Sequence, residues 1–206
     1  MRLLRNSIIL LFFCNSTWAQ QQEIDRLKKT LQVFADSLQV DRLNEICNLY
    51  IQSSMRDSAV AYQKKAASAA LHLNYVHGIA EAMSAEAAIA RHFDDDFPGQ
   101  QKYAEQSLNW FYRTANKKNI EAAYMQLAFA LFAQSSYTDA IRYQEKALEI
   151  YKDGNRKSDA ADAMVMLADI YIEKGDYDKA FQYAQQAITS ANDLQDKMLR
   201  QALYKQ

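Results

Sequence analysis

Apolar residues along this chain recur at spacings of three and four, the period of helices that bury one face. Ile24, Leu27, Leu31, Phe34 and Leu38 make the first stripe, with Asp25, Lys28, Lys29, Gln32 and Asp36 on the remaining surface. This predicts a leading cap helix with one wet face. Four helical pairs are predicted after it, over 40–54 and 57–73, 77–93 and 100–115, 117–134 and 137–152, and 157–174 and 177–192. A final helix from 195 would close the chain, with Leu199, Ala202 and Leu203 facing inward. In the first helix of each pair the positions align in columns: Leu43, Met83, Tyr124, Met164; then Cys47, Ala87, Ala128, Ala168; then Tyr50, Ala90, Leu131, Tyr171. Large, small, large is the order that lets neighbouring helices interlock.

The second helices carry a ladder of their own. Tyr62, Tyr103, Tyr143 and Tyr183 are separated by 41, 40 and 40 residues, and four residues after each stands Ala66, Ser107, Ala147 or Ala187. A fixed period with a small residue in a fixed place means one supersecondary unit is repeated, each copy burying its apolar face on the next. The chain reads as an all-α array of about four helical hairpins, an architecture that points to binding more than to chemistry.

The third and fourth units, MQLAFALFAQSSYTDAIRYQEKALEIY and VMLADIYIEKGDYDKAFQYAQQAITSA, carry a known pattern. A large and a small residue (Leu127 with Ala128, Leu167 with Ala168) precede Leu131 or Tyr171, then a turn (Gly175 in the fourth), then Ala140 or Ala180, an aromatic and a second alanine. These units resemble tetratricopeptide repeats of a long type, with a period of about 40 against the usual ~34. The closing proline is absent, and Ser135 replaces the turn glycine in the third unit. In the second unit Glu86 falls in a large apolar column and Gln100 in the alanine column, which leaves its register open. The resemblance implies a right-handed solenoid with capping helices at both ends, and a concave face made by the first helices. More loosely, residues 36–192 resemble the extracytoplasmic sensor regions of bacterial membrane histidine kinases, which implies a signal-input role.

The chain begins MRLLRNSIILLFFCNSTWAQ: Arg2 and Arg5, seven apolar residues from Ile8 to Cys14, then Thr17, Trp18 and Ala19. Charged, apolar and small-residue segments in that order predict a secretory signal over 1–19, with the solenoid domain over 20–206. Seven apolar residues fall short of the ~20 that span a bilayer, so cleavage after Ala19 is expected rather than an anchor. The 24 basic residues would lose Arg2 and Arg5 while the 25 acidic residues lose none, taking the net charge from −1 to −3. A periplasmic or secreted location is expected, with no membrane span in the mature chain and no nucleic-acid charge pattern. Cys47 would be the one remaining cysteine, so no intrachain disulfide can form, and its alanine column marks it as a small core residue.

Few constellations suggest chemistry. Asp94, Asp96, Gly99 and Glu105 fall at positions 1, 3, 6 and 12 of a calcium loop, but Pro98 stands where an oxygen ligand is needed and Gln101 in the usually apolar eighth position. A solvated turn before the next helix is the better reading. His72, His77 and His92 are not spaced to meet on one helix. No nucleophile motif, phosphate-binding glycine loop or cofactor motif is present, so no enzyme activity and no cofactor are expected.

Carrying the family's groove columns over residue by residue gives Asn44, Asn48 and Ile51 in the first unit, and Glu81, Ser84 and Arg91 in the second. The third contributes Met125, Phe129 and Phe132, and the fourth Asp162, Asp169 and Ile172. Phe129 and Phe132 lie beside the core columns Ala128 and Leu131, so one helical turn is apolar nearly all round, which a half-exposed helix does not need. They are expected to anchor a protein or peptide partner, with Arg91 and Asp169 on either side. A second reading is a sensor for a small molecule or metal.

Overall fold

The structure, a computed structural model, describes residues 19–31, 36–114 and 117–203, the side chains of 117, 118 and 193–203 excepted. Among these residues it is all helix, with no strand. Helix α1 covers residues 19–30. The remaining helices are α2 (Ser37–Gln52), α3 (Arg56–His72), α4 (Val76–Asp94), α5 (Phe97–Thr114), α6 (Lys117–Ala133), α7 (Tyr137–Asp153), α8 (Lys157–Lys174) and α9 (Tyr177–Leu203). Each helix from α2 onward packs on the next, and α4 also touches α2 and α6, so the hairpins stack in chain order as a solenoid.

The columns form the core. Ala66, Ser107 and Ala147 are fully buried and Ala187 nearly so. Cys47, Ala87 and Ala128 are likewise at 0% exposure, and Tyr50, Ala90, Leu131 and Tyr171 are all buried. The ladder tyrosines brace the hairpins from the side: Tyr62 lies 5.5 Å from the Tyr50 ring, Tyr143 5.8 Å from Tyr124, and Tyr183 stacks on Tyr171 at 5.6 Å. Met83 is the exception among the large columns, half-buried beside a fully buried Ala82.

The turns are built alike. Each first helix ends on a left-handed residue, Ser54, Asp95, Ser135 or Gly175. In repeats one, three and four the following N–H donates five residues back, from Met55 to Tyr50 O, Ser136 to Leu131 O and Asp176 to Tyr171 O, which satisfies carbonyls the helix leaves open. In repeat two Asp96 N–H reaches six residues back, to Ala90 O. The extra residue behind the single 41-residue step therefore sits at the α4–α5 turn, and this fixes the register of the second repeat: Gln100 does occupy the alanine column, fully buried.

Three boundaries differ from the sequence reading. The stripe from Ile24 to Leu38 is not one helix. Ile24 and Leu27 bury one face of α1, whereas Leu38 belongs to α2, because the Asp36 carboxylate caps a new helix by accepting from Leu38 N–H at 3.0 Å. Phe34 lies outside the described residues. Helix α5 starts at Phe97 instead of 100, which puts Pro98 in its first turn, where a missing N–H costs nothing. No separate helix begins near 195: α9 runs unbroken to Leu203, since nothing between Ala191 and Leu194 stops a helix. The side chains of Leu199, Ala202 and Leu203 lie outside the described residues.

Candidate functional site

The first helices α4, α6 and α8 line a groove of about 380 Å³ along one face of the array. Met125, Phe129 and Met166 supply its apolar walls, Arg91 and Asp162 stand at opposite sides, and Gln100 reaches its floor from α5. Phe129 is half-buried, with the Phe97 ring at 6.2 Å and the Arg91 guanidinium 4.9 Å above its own ring. That stacking holds a cation over an apolar surface without an ion pair.

The floor is a polar lattice. Gln126 donates to Ser84 O at 3.2 Å, tying α6 to α4 across the groove. Gln100 donates to Gln126 O at 3.1 Å, and its Oε1 is buried without a partner. Buried acceptors are normally satisfied, so an unpartnered one at a groove floor is a place where a ligand N–H would gain more than it would in water. At the Met125 end, Tyr151 donates to the thioether, and burial pushes the Tyr151 phenol up to about 12. It stays a neutral donor at physiological pH.

A smaller hollow of about 200 Å³ adjoins at Ala122 and is lined by Asn48, Glu81, Ser84 and Asn119. Asn119 donates to Glu81 Oε1 at 3.2 Å, and His77 Nε2 lies 3.4 Å from the same carboxylate. A larger hollow is lined by Leu31, Leu43, Tyr62, Lys65 and His72.

The structure brings part of the expected set together. Arg91, Met125 and Phe129 share the main groove with Asp162, while Asn48 faces the smaller hollow with Glu81 and Ser84. Asn44 is only 1% exposed and donates to Gly78 O, so it joins α2 to α4 and presents no surface to a partner. Ile51 is buried too. Phe132 turns the other way from Phe129 and packs on the core beside Tyr137, at 6.1 Å. Asp169 and Ile172 are exposed on α8 but do not line the groove. Gln100, Gln126 and Met166 were not foreseen. Gln100 left a signal, an amide in an alanine column.

The other candidates have structural partners. Asp94 receives both arms of Arg56, at 3.0 and 3.2 Å, which links the first and second repeats. Asp96 accepts from Gly99 N–H, and Glu105 lies within α5 and accepts from Gln101. Most of the would-be calcium loop is therefore helix. Among the described residues no group of three or more His, Cys, Asp and Glu could hold a metal ion, and no helix is long and apolar enough to cross a membrane. Burial raises the Cys47 thiol to about 12, and its Sγ donates to Ala59 O, so it is an inert core group.

Comparisons with known proteins agree with this architecture. Residues 119–193 match the tetratricopeptide repeat family. A stretch of 76 residues is 38% identical to tetratricopeptide repeat protein 29 of Macaca fascicularis, covering 37% of this chain and 16% of that protein. The chain therefore matches only a small part of its curated relative. Among solved structures, BtubC (BKLC) from P. vanneervenii superposes with a TM-score of 0.75 at 16% identity, over 86% of this chain and 75% of that one. A Rap protein complexed with competence and sporulation factor gives 0.73 at 19% identity, over 91% and 53%. Residues 119–193 thus carry tetratricopeptide repeat sequence, and the array as a whole has the tetratricopeptide-type helical fold.

Proposed function

We propose that the chain is a non-catalytic interaction module whose groove over α4, α6 and α8 takes an extended segment of a protein partner. Phe129 would anchor an apolar side chain, and Arg91 and Asp162 would set its direction. The observation that carries this reading is the pairing, in one groove, of a half-buried aromatic under Arg91 with the unpartnered Gln100 Oε1. The Rap structure supports it by analogy: an array of this fold is seen there complexed with another factor.

Selection of displayed random peptides on the full chain tests the proposal. Enriched peptides should carry an apolar residue next to an acid. Phe129→Ala should weaken a selected peptide by at least about 2 kcal/mol while leaving the unfolding midpoint in place. A loss of fold stability of about 3–5 kcal/mol instead would make Phe129 a core residue and end the proposal.

The tripartite start of the chain supports export to a periplasmic or secreted location, and the resemblance to histidine kinase sensor regions supports a role in signal input. Residues 1–18 of that start lie outside the described residues. Intact mass of protein recovered outside the cytoplasm should begin at Gln20. Retention of Met1–Ala19 on most molecules would remove the export reading.

A further inference from the structure

The groove beneath Phe129 is lopsided in the hydrogen bonds it offers. Gln100, Gln126 and Gln144 all line it, and each turns its NH2 group to a helix carbonyl, of Gln126, Ser84 and Ala163, at 3.1, 3.2 and 3.3 Å. The Tyr151 hydroxyl is likewise taken up by the Met125 thioether. What stays open are acceptors. Gln100 is fully buried and its Oε1 has no partner, a state that turning the amide over would not relieve, because the nitrogen is held by Gln126 O. The Asp162 carboxylate stands exposed on the α8 wall, and among the described residues no ion pair or hydrogen bond claims it. Arg91 lies over the Phe129 ring on the α4 side.

We infer that the segment taken by this groove is the free amino terminus of the partner, with its α-ammonium donating to Gln100 Oε1 and facing Asp162 while an apolar first side chain packs on Met125, Phe129 and Met166. This rests on the proposed function and adds which part of the partner is read. An internal stretch brings a carbonyl with every N–H, and at this floor that carbonyl would find no donor. An ammonium brings three donors and no acceptor. A lysine side chain also ends in one, but its unbranched stem offers nothing to cover the thioethers and the phenyl ring. In a terminal residue the side chain leaves the same carbon that bears the nitrogen, so one residue meets both the open acceptors and the apolar walls. Gln100 Oε1 is already out of water, so a bond to it forms without the desolvation that an exposed acceptor costs. Asp162 supplies the counter-charge that a partly desolvated ammonium needs. The chain then runs toward Arg91, where an acidic side chain further along would pair with the guanidinium.

Binding of synthetic peptides to the full chain tests this. Two random pentapeptide pools are compared, identical but for an Nα-acetyl cap on one, and binding that Phe129→Ala abolishes counts as groove binding. The uncapped pool should be enriched in peptides with an apolar first residue. For the tightest of them, acetylation should weaken binding about tenfold or more, the range of a hydrogen bond to a charged group. Asp162→Asn should weaken the free-amine peptide and leave its acetylated form unchanged. The deciding change is made on the peptide, so the result does not depend on how a variant folds. Groove binding that tolerates the acetyl cap would overturn the inference and leave the proposed function standing. So would capped peptides that recover full affinity through a lysine. A groove that binds neither pool in a Phe129-dependent way would remove both.

Discussion

The second and third repeats hold equivalent places in the array, yet they fill the same columns with different chemistry. Repeat three is apolar where the pattern asks for it, with Leu127, Ala140 and Ala147 all at 0% exposure. Repeat two puts Glu86, Gln100 and Ser107 in those three columns. Gln100 and Ser107 are as buried as the alanines they replace, and each sends its donor to a backbone carbonyl, Gln126 O at 3.1 Å and Ala80 O at 2.9 Å. Place in the ladder thus decides burial. A polar side chain is tolerated there when a helix carbonyl lies within reach. Repeat three has its own polar element elsewhere: Glu121, buried in α6, is paired with Arg156 of the α7–α8 turn, which also holds Asp159.

That ion pair gives the largest expected effect. Arg156→Ala leaves a buried carboxylate without its cation and should clearly lower the midpoint of a denaturant titration. The second repeat has no such pair, since Ala80 stands in the column of Glu121. An unchanged midpoint would show that water reaches Glu121, and that the two repeats differ less than their side chains suggest.

The next test asks whether place really outweighs residue type. Ala147→Leu and Ser107→Leu both force a larger side chain between helices that touch, and each should cost about 1–3 kcal/mol. If Ser107→Leu proved neutral, the second repeat would be looser than the third, and its polar columns would reflect slack instead of equivalent packing.

The columns and the ladder were legible because size alternation and a 40-residue period survive any single substitution. Even the extra residue at the α4–α5 turn showed as the one 41-residue step. The leading stripe misled because a spacing of three and four can run on across a helix break, and Asp36, the cap that breaks it, looked like one more polar position. On the site, Phe129 stood out as apolar surface beyond what the core required. Asn44 did not translate, because its column faces the neighbouring helix in the first repeat. The Glu121–Arg156 pair joins residues 35 apart with no periodic signal, so no reading along the chain could have found it.

The turns sharpen the comparison at smaller scale. Gly175 has φ +83° and Ser135 φ +59° at the same point of their repeats. A side chain in the left-handed region carries a backbone penalty that glycine avoids. Gly175→Ala should therefore cost about 1 kcal/mol, and Ser135→Gly should gain up to a similar amount. Thermal or urea midpoints measure both. Opposite signs at the two sites are the expected result, and a loss at both would mean that the Ser135 side chain contributes something glycine cannot.

The smallest effect concerns Glu86, half-buried in a column that Leu127 and Leu167 fill elsewhere. Burial raises its carboxyl above the usual carboxylate range, against an opposing attraction from Lys64. The unfolded chain, ionising near ~4.3, gives up this proton before the folded one does as pH rises. The contribution of Glu86 to stability is therefore fully present below that value and is lost as pH climbs through the raised folded value. At neutral pH the wild type bears the cost of a charged group in an apolar column. Glu86→Gln should then be the more stable protein at about pH 7, by a margin under about 1 kcal/mol. The margin should close when the same urea titration is run at about pH 3.5, where both side chains are neutral. If the variant is instead weaker at neutral pH and equal in acid, the Lys64 attraction outweighs burial, and the second repeat holds its carboxylate through charge, as the third does with Glu121.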